Sequence, residues 1–273
     1  MRFTVALAAV AATLALPAFA QTADATGGGE DRPAPVPIEE WSLEKVSRIG
    51  AEMFRLDSAA WLATDALLEA VSQEELRSVR GWLIEPVDDG LRVHFYRQGD
   101  PDPAPGWESV VKADRAGPVT LAAQSALTTE ELAQTRALAT ARANIGDLRC
   151  SPNVNTVIMD DPDSDDWLVW LLTPMPDNGA VPIGGHYRFR ISSDGRTVLR
   201  RDQLSNACFF ADAPPADVQD SMLFYTQIVS KGPVETHVFL SIQNQLPIII
   251  AANDRLFGVA GAEIADITEA AEK

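Results

Sequence analysis

The second half of the chain consists of short apolar segments separated by tight turns, and this pattern constrains the fold more than any other. The segment at residues 167–172 is apolar on both faces, which predicts a central strand. The dipeptide Asp194-Gly195 is typical of a two-residue hairpin turn. Short adjacent strands joined by such turns favour antiparallel pairing over parallel β-α-β units. The predicted strands lie at residues 153–159, 167–173, 186–192, 196–201, 223–229, 236–243, 247–251 and 255–259.

A helical region is predicted before these strands, at about residues 43–80. Ser42 is a suitable N-cap, and apolar residues recur at three- and four-residue spacing from residue 49 to residue 60. A last short helix is expected after Ser72, which has capping-box spacing to Glu75. Gly81 suits the C-terminal stop of that helix.

A second helix is predicted at residues 129–144, because Thr128 and Glu131 also have capping-box spacing. Between the helical regions, strands at residues 82–86 and 91–97 flank an Asp-Asp-Gly turn, and residues 109–112 and 119–122 extend the sheet. The fold class is therefore α+β, with two helical elements packed on largely antiparallel sheet. The expected organisation is a signal peptide at 1–20, a disordered tether at 21–37, an N-terminal α+β unit at 38–126 and a C-terminal α+β unit at 127–273. The last two units are alternatively one continuous domain.

The first twenty residues predict a secretory signal peptide. Arg2 gives a positive start, an apolar run follows at residues 5–16, and Ala18-Phe19-Ala20 is typical of a cleavage site. Cleavage there would place Gln21 first, where a lipoprotein would carry a cysteine. We therefore expect a periplasmic or secreted protein without a lipid anchor.

The two cysteines, Cys150 and Cys208, indicate one disulfide, because an even pair in an exported protein is normally oxidised. Closing a loop of this length stabilises the fold by about 4 kcal/mol in the chain-entropy model. Neither cysteine has a C-x-x-C partner, which disfavours a redox or metal-binding role.

The formal net charge of −17 limits the partners that the protein can have. A domain this acidic is repelled by nucleic acid and by anionic lipid, so neither is an expected partner. After the leader, no apolar stretch approaches the ~18 residues that predict a membrane span. The mature chain is therefore expected to have no membrane span.

Arginines are concentrated in one hairpin, at residues 185–201, of this otherwise acidic chain. A two-residue turn at residues 194–195 would put Arg188 opposite Arg201, and alternation would put Arg190 and His186 on the same face. Two opposing arginines need an anion or a carboxylate between them. One interpretation is that carboxylates of another element, such as the loop at 160–166, neutralise the arginines. The other is a recognition site for a carboxylate or phosphate ligand.

No metal site is predicted, although two patterns come close to one. Asp161, Asp163 and Asp165 have the spacing of a calcium loop, but the glycine and the final glutamate of an EF-hand are replaced. A solvated hairpin loop is therefore preferred over weak calcium binding. The three histidines fall on predicted strands without the spacing of zinc ligands.

A local catalytic triad is excluded by distance. Glu235, His237 and Ser241 share one face of a predicted strand, but four residues of strand separate the last two by roughly 13 Å. Glu235 could still contact His237 and raise its pKa.

The preferred interpretation is an exported, non-enzymatic binding or accessory module of the cell envelope, without a cofactor. It would recognise either a protein partner or an anionic ligand, the latter through Arg188, Arg190, Arg201 and His186. The first alternative is a periplasmic hydrolase whose site assembles only in the fold, with His186, His237 and Glu235 as candidates. The second is a structural module acting through an apolar sheet face. A pocket with a histidine beside a carboxylate favours the hydrolase, unpaired arginines favour the anion binder, and an exposed apolar patch or uncovered edge favours the structural module.

Overall fold

Helix α1 (Leu43–Ala70) is the first helix or strand in the described part of the chain. The computed structural model describes residues 37–212 and 221–271, so the predicted signal peptide and tether lie, except for Pro37, outside the described residues. The Ser42 hydroxyl accepts a hydrogen bond from the Lys45 backbone N–H and caps the helix as predicted. A short helix α2 (Gln73–Leu76) follows, and it has the predicted capping box of Ser72 and Glu75. The buried stripe of α1 includes Val46, Ile49, Met53, Leu56, Ala60, Ala63 and Leu67.

The first sheet is antiparallel and packs on α1. Its strands are β1 (Val79–Val87), β2 (Gly90–Arg97), β3 (Ala104–Lys112) and β4 (Arg115–Ala116), in that order, and β5 (Thr120–Leu121) also pairs with β3. Val93 and Phe95 face the core beside α1, whereas the row Leu83, His94 and Glu108 lies on the opposite face.

Gly81 does not end a helix, contrary to the prediction, because the helical region stops at Leu76 and Gly81 lies within β1. Its role is steric. A Cβ at this position would come within 2.5 Å of the Tyr96 hydroxyl oxygen on the neighbouring strand.

Helix α3 (Thr129–Ala143) begins at the predicted capping box and packs on a second antiparallel sheet. The chain continues through β6 (Asn155–Asp160), β7 (Trp167–Leu172), β8 (Val181–Pro182), β9 (Tyr187–Ile191), β10 (Val198–Gln203) and β11 (Phe210–Ala211). The order of the second sheet is β10-β9-β7-β6, and β8 pairs separately with β11.

Strand β7 is a central strand, as predicted, and all six of its residues are buried. Leu168 and Trp170 join the larger of two apolar clusters, together with residues of α1 and the first sheet. Val169 and Leu171 point the other way, into a cluster formed with α3. Residues on both sides of position 126 therefore share a core, and the division into two α+β units stays a prediction.

The third sheet contains the only parallel strand pair in the described residues. It consists of β12 (Leu223–Thr226), β13 (Ile248–Ala252), β14 (Arg255–Ala260) and β15 (Glu263–Asp266), in that order. Strands β12 and β13 are parallel, and the other two pairs are antiparallel. Helix α4 (Glu235–Asn244) connects β12 to β13 and packs on α1, and a short helix α5 (Thr268–Ala271) ends the described chain.

The prediction of a strand at residues 236–243 is wrong, because these residues form α4. Residues 235–241 are all buried, polar and apolar alike, so the polar residues Glu235, His237 and Ser241 do not mark a solvent-facing side. Thr236 and Val238 are β-branched, which adds to the resemblance to a buried strand.

Cys150 and Cys208 form the predicted disulfide, with their Cα atoms 5.4 Å apart. The bond ties the loop after α3 to the segment before β11. Gly185 allows the close approach of the chain there: its φ is +86°, and a Cβ would lie 2.2 Å from Cys150 Sγ. Within the described ranges, no helix has the length and apolar character needed to cross a bilayer.

Candidate functional site

The arginine hairpin of β9 and β10 has a different register from the one predicted. Arg188 faces Asp202, and Arg201 faces Phe189. The pairing shifts between Val198 and Arg200, so one extra residue moves Arg201 to the opposite face of the sheet. The predicted opposition of Arg188 and Arg201 is therefore wrong.

Arg188 is the centre of a buried ion cluster. Its Nη2 lies 2.7 Å from Asp202 Oδ2, and its Nη1 lies 3.0 Å from Glu235 Oε2. The guanidinium also stacks on Trp41, 3.8 Å from the ring centroid. Trp170 Nε1 donates to the second oxygen of Glu235 at 2.8 Å. Carboxylates thus neutralise Arg188, as the first interpretation of the hairpin expected. Asp202, however, belongs to the hairpin strand β10 itself, and Glu235 comes from another element, α4.

Arg190 and Arg201 lie in different environments. Arg190 Nε donates to Asp161 Oδ2 at 2.6 Å, and Nη2 lies 3.2 Å from a carboxylate oxygen of Glu39. Burial lowers the pKa of Arg190, but these two partners more than offset it, so the net pKa is raised. Arg201 is exposed and donates to the carbonyl of Asn144 at 3.0 Å. The structure therefore does not bring the four proposed ligand-binding residues together on one open face.

His186 and His237 are fully buried neutral histidines. His186 Nδ1 accepts from the Thr173 N–H at 3.1 Å, and Nε2 lies 2.7 Å from the Pro182 carbonyl oxygen. Burial lowers the pKa of His186 to about 4, although the Pro182 hydrogen bond acts in the opposite direction. Burial, and then the nearby His186, lowers the pKa of His237 to about 3. His237 Nδ1 accepts from the Val234 N–H at 3.1 Å.

Glu235, His237 and Ser241 lie on helix α4, so the strand distance that excluded a local triad does not apply. Each of the three side chains instead has a structural partner. Glu235 is bound to Arg188 and Trp170, and Ser241 Oγ donates to the Leu246 carbonyl at 2.8 Å. The Asp160–Asp166 loop connects β6 and β7 as a hairpin, as preferred. Within residues 37–212 and 221–271, no group of three or more histidines, cysteines or acidic residues is arranged to hold a metal ion.

The strongest candidate site is the outer face of the third sheet, which we call the apolar sheet face. Register places Phe224, Ile249, Gly258 and Ala265 in one row across the four strands. The next row contains Thr226, Ala251 and Leu256. Phe224 is 61% exposed, and Met222 and Ile228, on either side of β12, are 59% and 57% exposed. Large apolar side chains thus remain in solvent along one edge of this face.

Two grooves lie on the apolar sheet face. A groove of about 720 Å3 is lined by Thr226, Ile228, Ala251 and Leu256, together with the start of the described chain at Pro37. The other, of about 680 Å3, is lined by Pro247, Ile249, Gly258, Ala265 and Ile267. The first groove is lined by two acidic and two basic residues, Glu40 and Asp254 with Lys231 and Arg255. The charged residues that line the second groove are Glu44 and Glu263.

The two edges of this sheet are unlike each other. Strand β15 carries Glu263 and Asp266, and charged residues on an edge strand oppose pairing with another chain. Strand β12 has no charged residue, and no described strand pairs with it on the side away from β13. The β12 edge is therefore open to a further strand as far as the described residues show.

Comparison with known proteins gave no match: no family model matches the chain, and no curated protein or solved structure is detectably similar to it.

A structural module acting through an apolar sheet face was one of the functions predicted from the sequence, but the sequence did not indicate which residues form that face. A signal was present at Ile248, Ile249 and Ile250, which are apolar on both faces of a predicted strand. One face of that strand is the core, and the other is the candidate site.

Proposed function

We propose that the protein is an exported, non-catalytic accessory module of the cell envelope, which binds an extended segment of a partner protein on the apolar sheet face. The observation that carries this proposal is the exposure of Met222, Phe224 and Ile228 beside the outward-facing, half-buried Ile249, Ala251 and Leu256 of β13 and β14. Contiguous exposed apolar surface of this kind is typical of interaction sites. The anionic-ligand alternative is less favoured, because Arg188 and Arg190 are already paired with carboxylates.

Charge favours a different protein over a second copy or a lipid surface. The net charge of −17 opposes both self-association and approach to anionic lipid. The second groove is also acidic, since its charged lining residues are Glu44 and Glu263. The partner segment is therefore apolar where it meets the sheet and neutral or basic at its flanks.

The uncharged edge favours strand addition as the binding mode. An extended peptide can hydrogen-bond to the free edge of β12 while alternate side chains pack beside Phe224. Export is supported by the leader-like sequence and by the Cys150–Cys208 disulfide, since such bonds persist in oxidising compartments.

The proposal can be tested by photo-crosslinking in cells that produce the protein. A crosslinking amino acid at Phe224 or Ile228 is compared with one at Leu121, which is 72% exposed on a different sheet. We expect a discrete adduct with one other protein from the first two positions and none from Leu121. Phe224→Asp should then weaken binding of the partner's crosslinked segment by about tenfold or more, while Leu121→Asp leaves it unchanged.

Three outcomes contradict the proposal. The first is an equal yield from all three positions, which indicates unspecific contact. The second is an adduct with a second copy of this chain or with lipid. The third is a partner whose binding is equally sensitive to Phe224→Asp and Leu121→Asp.

A further inference from the structure

Helix α1 carries a second stripe of side chains besides the buried stripe that faces the core. Trp61 is 63% exposed and Leu68 is 52% exposed, although both are large apolar residues. They are seven positions apart, which is two helical turns, so they lie on the same side of the helix. Three- and four-residue spacing extends this stripe, which we call the outer stripe and which consists of Phe54, Asp57, Trp61, Thr64 and Leu68.

Asp57 lines a narrow crevice beside the outer stripe. The crevice has a volume of about 10 Å3, which is room for about one water molecule. Its walls include Trp82 of β1, Leu138 of α3 and Val157 of β6. Apart from Asp57, no lining residue in the described chain has an ionisable side chain. The Asp57 carboxylate therefore lies among mainly apolar neighbours.

No group of the described chain neutralises Asp57. Burial raises its pKa to about 6, and neither a hydrogen bond nor a nearby charge lowers that pKa. Arg142 Nη2 lies 3.5 Å from the Oγ1 of Thr156, another lining residue, and forms no ion pair with Asp57. At pH 7 the carboxylate is still mostly ionised. A half-buried negative charge thus has no partner, one helical turn from the exposed indole of Trp61.

The charges along this part of the chain favour a basic partner. Residues 56–76 contain no lysine, arginine or histidine but five acidic residues: Asp57, Asp65, Glu69, Glu74 and Glu75. Helix α1 also has no basic residue in its last turn, where the partial negative charge of the helix end would favour one. The outer stripe therefore combines exposed apolar side chains with unopposed negative charge, and it attracts a segment that is both apolar and basic.

We propose that the outer stripe docks an amphipathic helix of a partner protein, which packs apolar side chains against Trp61 and Leu68 and directs a basic side chain to the Asp57 carboxylate. Three- and four-residue spacing suits a helix, because the facing side chains of two helices then interdigitate. The net charge of −17 disfavours a second copy of this chain as the occupant. The outer stripe is independent of the apolar sheet face and of the function proposed for it.

The test uses a labelled helical peptide of about 18 leucine and lysine residues, in which the leucines have the spacing of the outer stripe. Binding to the full chain is measured by fluorescence anisotropy at pH 7 and about 0.15 M salt. NMR follows the indole N–H signal of Trp61 in the same titration. A second peptide carries glutamate in place of every lysine. We expect saturable binding of the lysine peptide with a shift of the Trp61 signal, and binding of the glutamate peptide weaker by about tenfold or more.

Variants separate the outer stripe from general attraction to an acidic protein. Asp57→Asn and Trp61→Ala should each weaken binding of the lysine peptide by about tenfold. The matched controls should leave the affinity unchanged: Asp114→Asn removes a 91% exposed carboxylate, and Leu121→Ala truncates a 72% exposed side chain on the first sheet. Phe224→Asp should also have no effect, which distinguishes this site from the apolar sheet face.

The pH dependence of binding provides an independent measurement. Because the pKa of Asp57 is about 6, the affinity of the wild type for the lysine peptide should fall between pH 7 and pH 5 toward that of Asp57→Asn. Equal affinities of the wild type and Asp57→Asn at pH 7, equal binding of the two peptides, or an unchanged Trp61 signal overturns the proposal. So does a loss of affinity in either control variant. A dimer of this chain that Trp61→Ala dissociates would assign the outer stripe to a second copy and likewise overturn it.

Discussion

Replacing Arg188 by methionine should destabilise the protein more than any other single change in the arginine hairpin. The side chain is 3% exposed and holds two carboxylates, those of Asp202 and Glu235. After Arg188→Met, Asp202 keeps Arg200, at 2.8 Å, but Glu235 keeps only the Trp170 indole among its side-chain partners in the described chain. Removing one partner of a buried ion pair costs about 3–5 kcal/mol, and most of that cost comes from the charge left behind.

A second substitution can show that the stability lost in Arg188→Met comes from the unpaired charge of Glu235. Glutamine at position 235 is neutral and can still accept the hydrogen bond from Trp170 Nε1. Arg188→Met/Glu235→Gln should therefore recover about 1–3 kcal/mol relative to Arg188→Met. The matched control is Arg196→Met, which removes an arginine of the same hairpin whose side chain is 70% exposed, and it should change the stability by less than about 0.5 kcal/mol.

The measurement is urea-induced unfolding at pH 7, followed by tryptophan fluorescence and far-UV circular dichroism. The free energies of unfolding are compared at a common m-value. If Arg188→Met is no more destabilising than Arg196→Met, the ion cluster does not stabilise the core. If the double variant is less stable than Arg188→Met alone, the unpaired Glu235 charge is not the source of the cost.

Two further predictions concern the buried histidines and the disulfide. The pKa values of His186 and His237 are lowered to about 4 and about 3, so below pH 6.5 the unfolded chain binds protons that the folded chain does not. The free energy of unfolding should therefore fall as the pH decreases, by about 2 kcal/mol per histidine between pH 7 and pH 5. His237→Gln should reduce this pH dependence by about half. An unchanged pH dependence in that variant contradicts the burial of His237 as a neutral group. Cys150→Ala/Cys208→Ala opens a link between residues 58 positions apart, and it should lower the free energy of unfolding by about 4 kcal/mol. The wild-type protein in a reducing agent should have the same free energy of unfolding as this variant. If the reducing agent leaves the stability of the wild type unchanged, the disulfide does not constrain the unfolded chain.

Local signals in the sequence predicted the elements that depend on local interactions. The capping boxes at Ser72 and Thr128 mark helix starts because both partners lie within one turn of chain. The apolar run at residues 167–172 marks a central strand because burial on both faces requires apolar residues at every position. The Cys150–Cys208 bond follows from counting, since two cysteines allow one pairing.

The sequence did not predict helix α4, because the polar and apolar residues of this helix are buried together. The helix packs on α1 on one side and contacts the third sheet on another, so residues 235–241 are all buried. The polar residues Glu235, His237 and Ser241 have spacings that fit one face of a strand, and they are buried together with the apolar residues between them. Only the tertiary contacts distinguish this helix from a strand.

The register of the arginine hairpin could not be predicted either, because one bulged residue changes which side chains share a face. The shift between Val198 and Arg200 moves Asp202 to the position opposite Arg188. The hairpin therefore contributes one carboxylate of its own, and Glu235 arrives from a helix that the sequence did not reveal.

The ion cluster and the apolar sheet face are two consequences of one distribution of charge. Arg188, Arg190 and Arg200 are paired with four carboxylates within or beside the core, so this cluster carries only one of the surplus negative charges. The net charge of −17 therefore belongs mainly to the remaining surface, where it repels copies of the chain from each other. Because this repulsion already limits aggregation, the edge at Phe224 can remain uncharged without the protection that Glu263 gives to the opposite edge. Under the proposal, an uncharged apolar edge on a strongly acidic protein disfavours a second copy of the chain and favours a neutral or basic segment of another protein. This difference is the reason to look for the partner at β12.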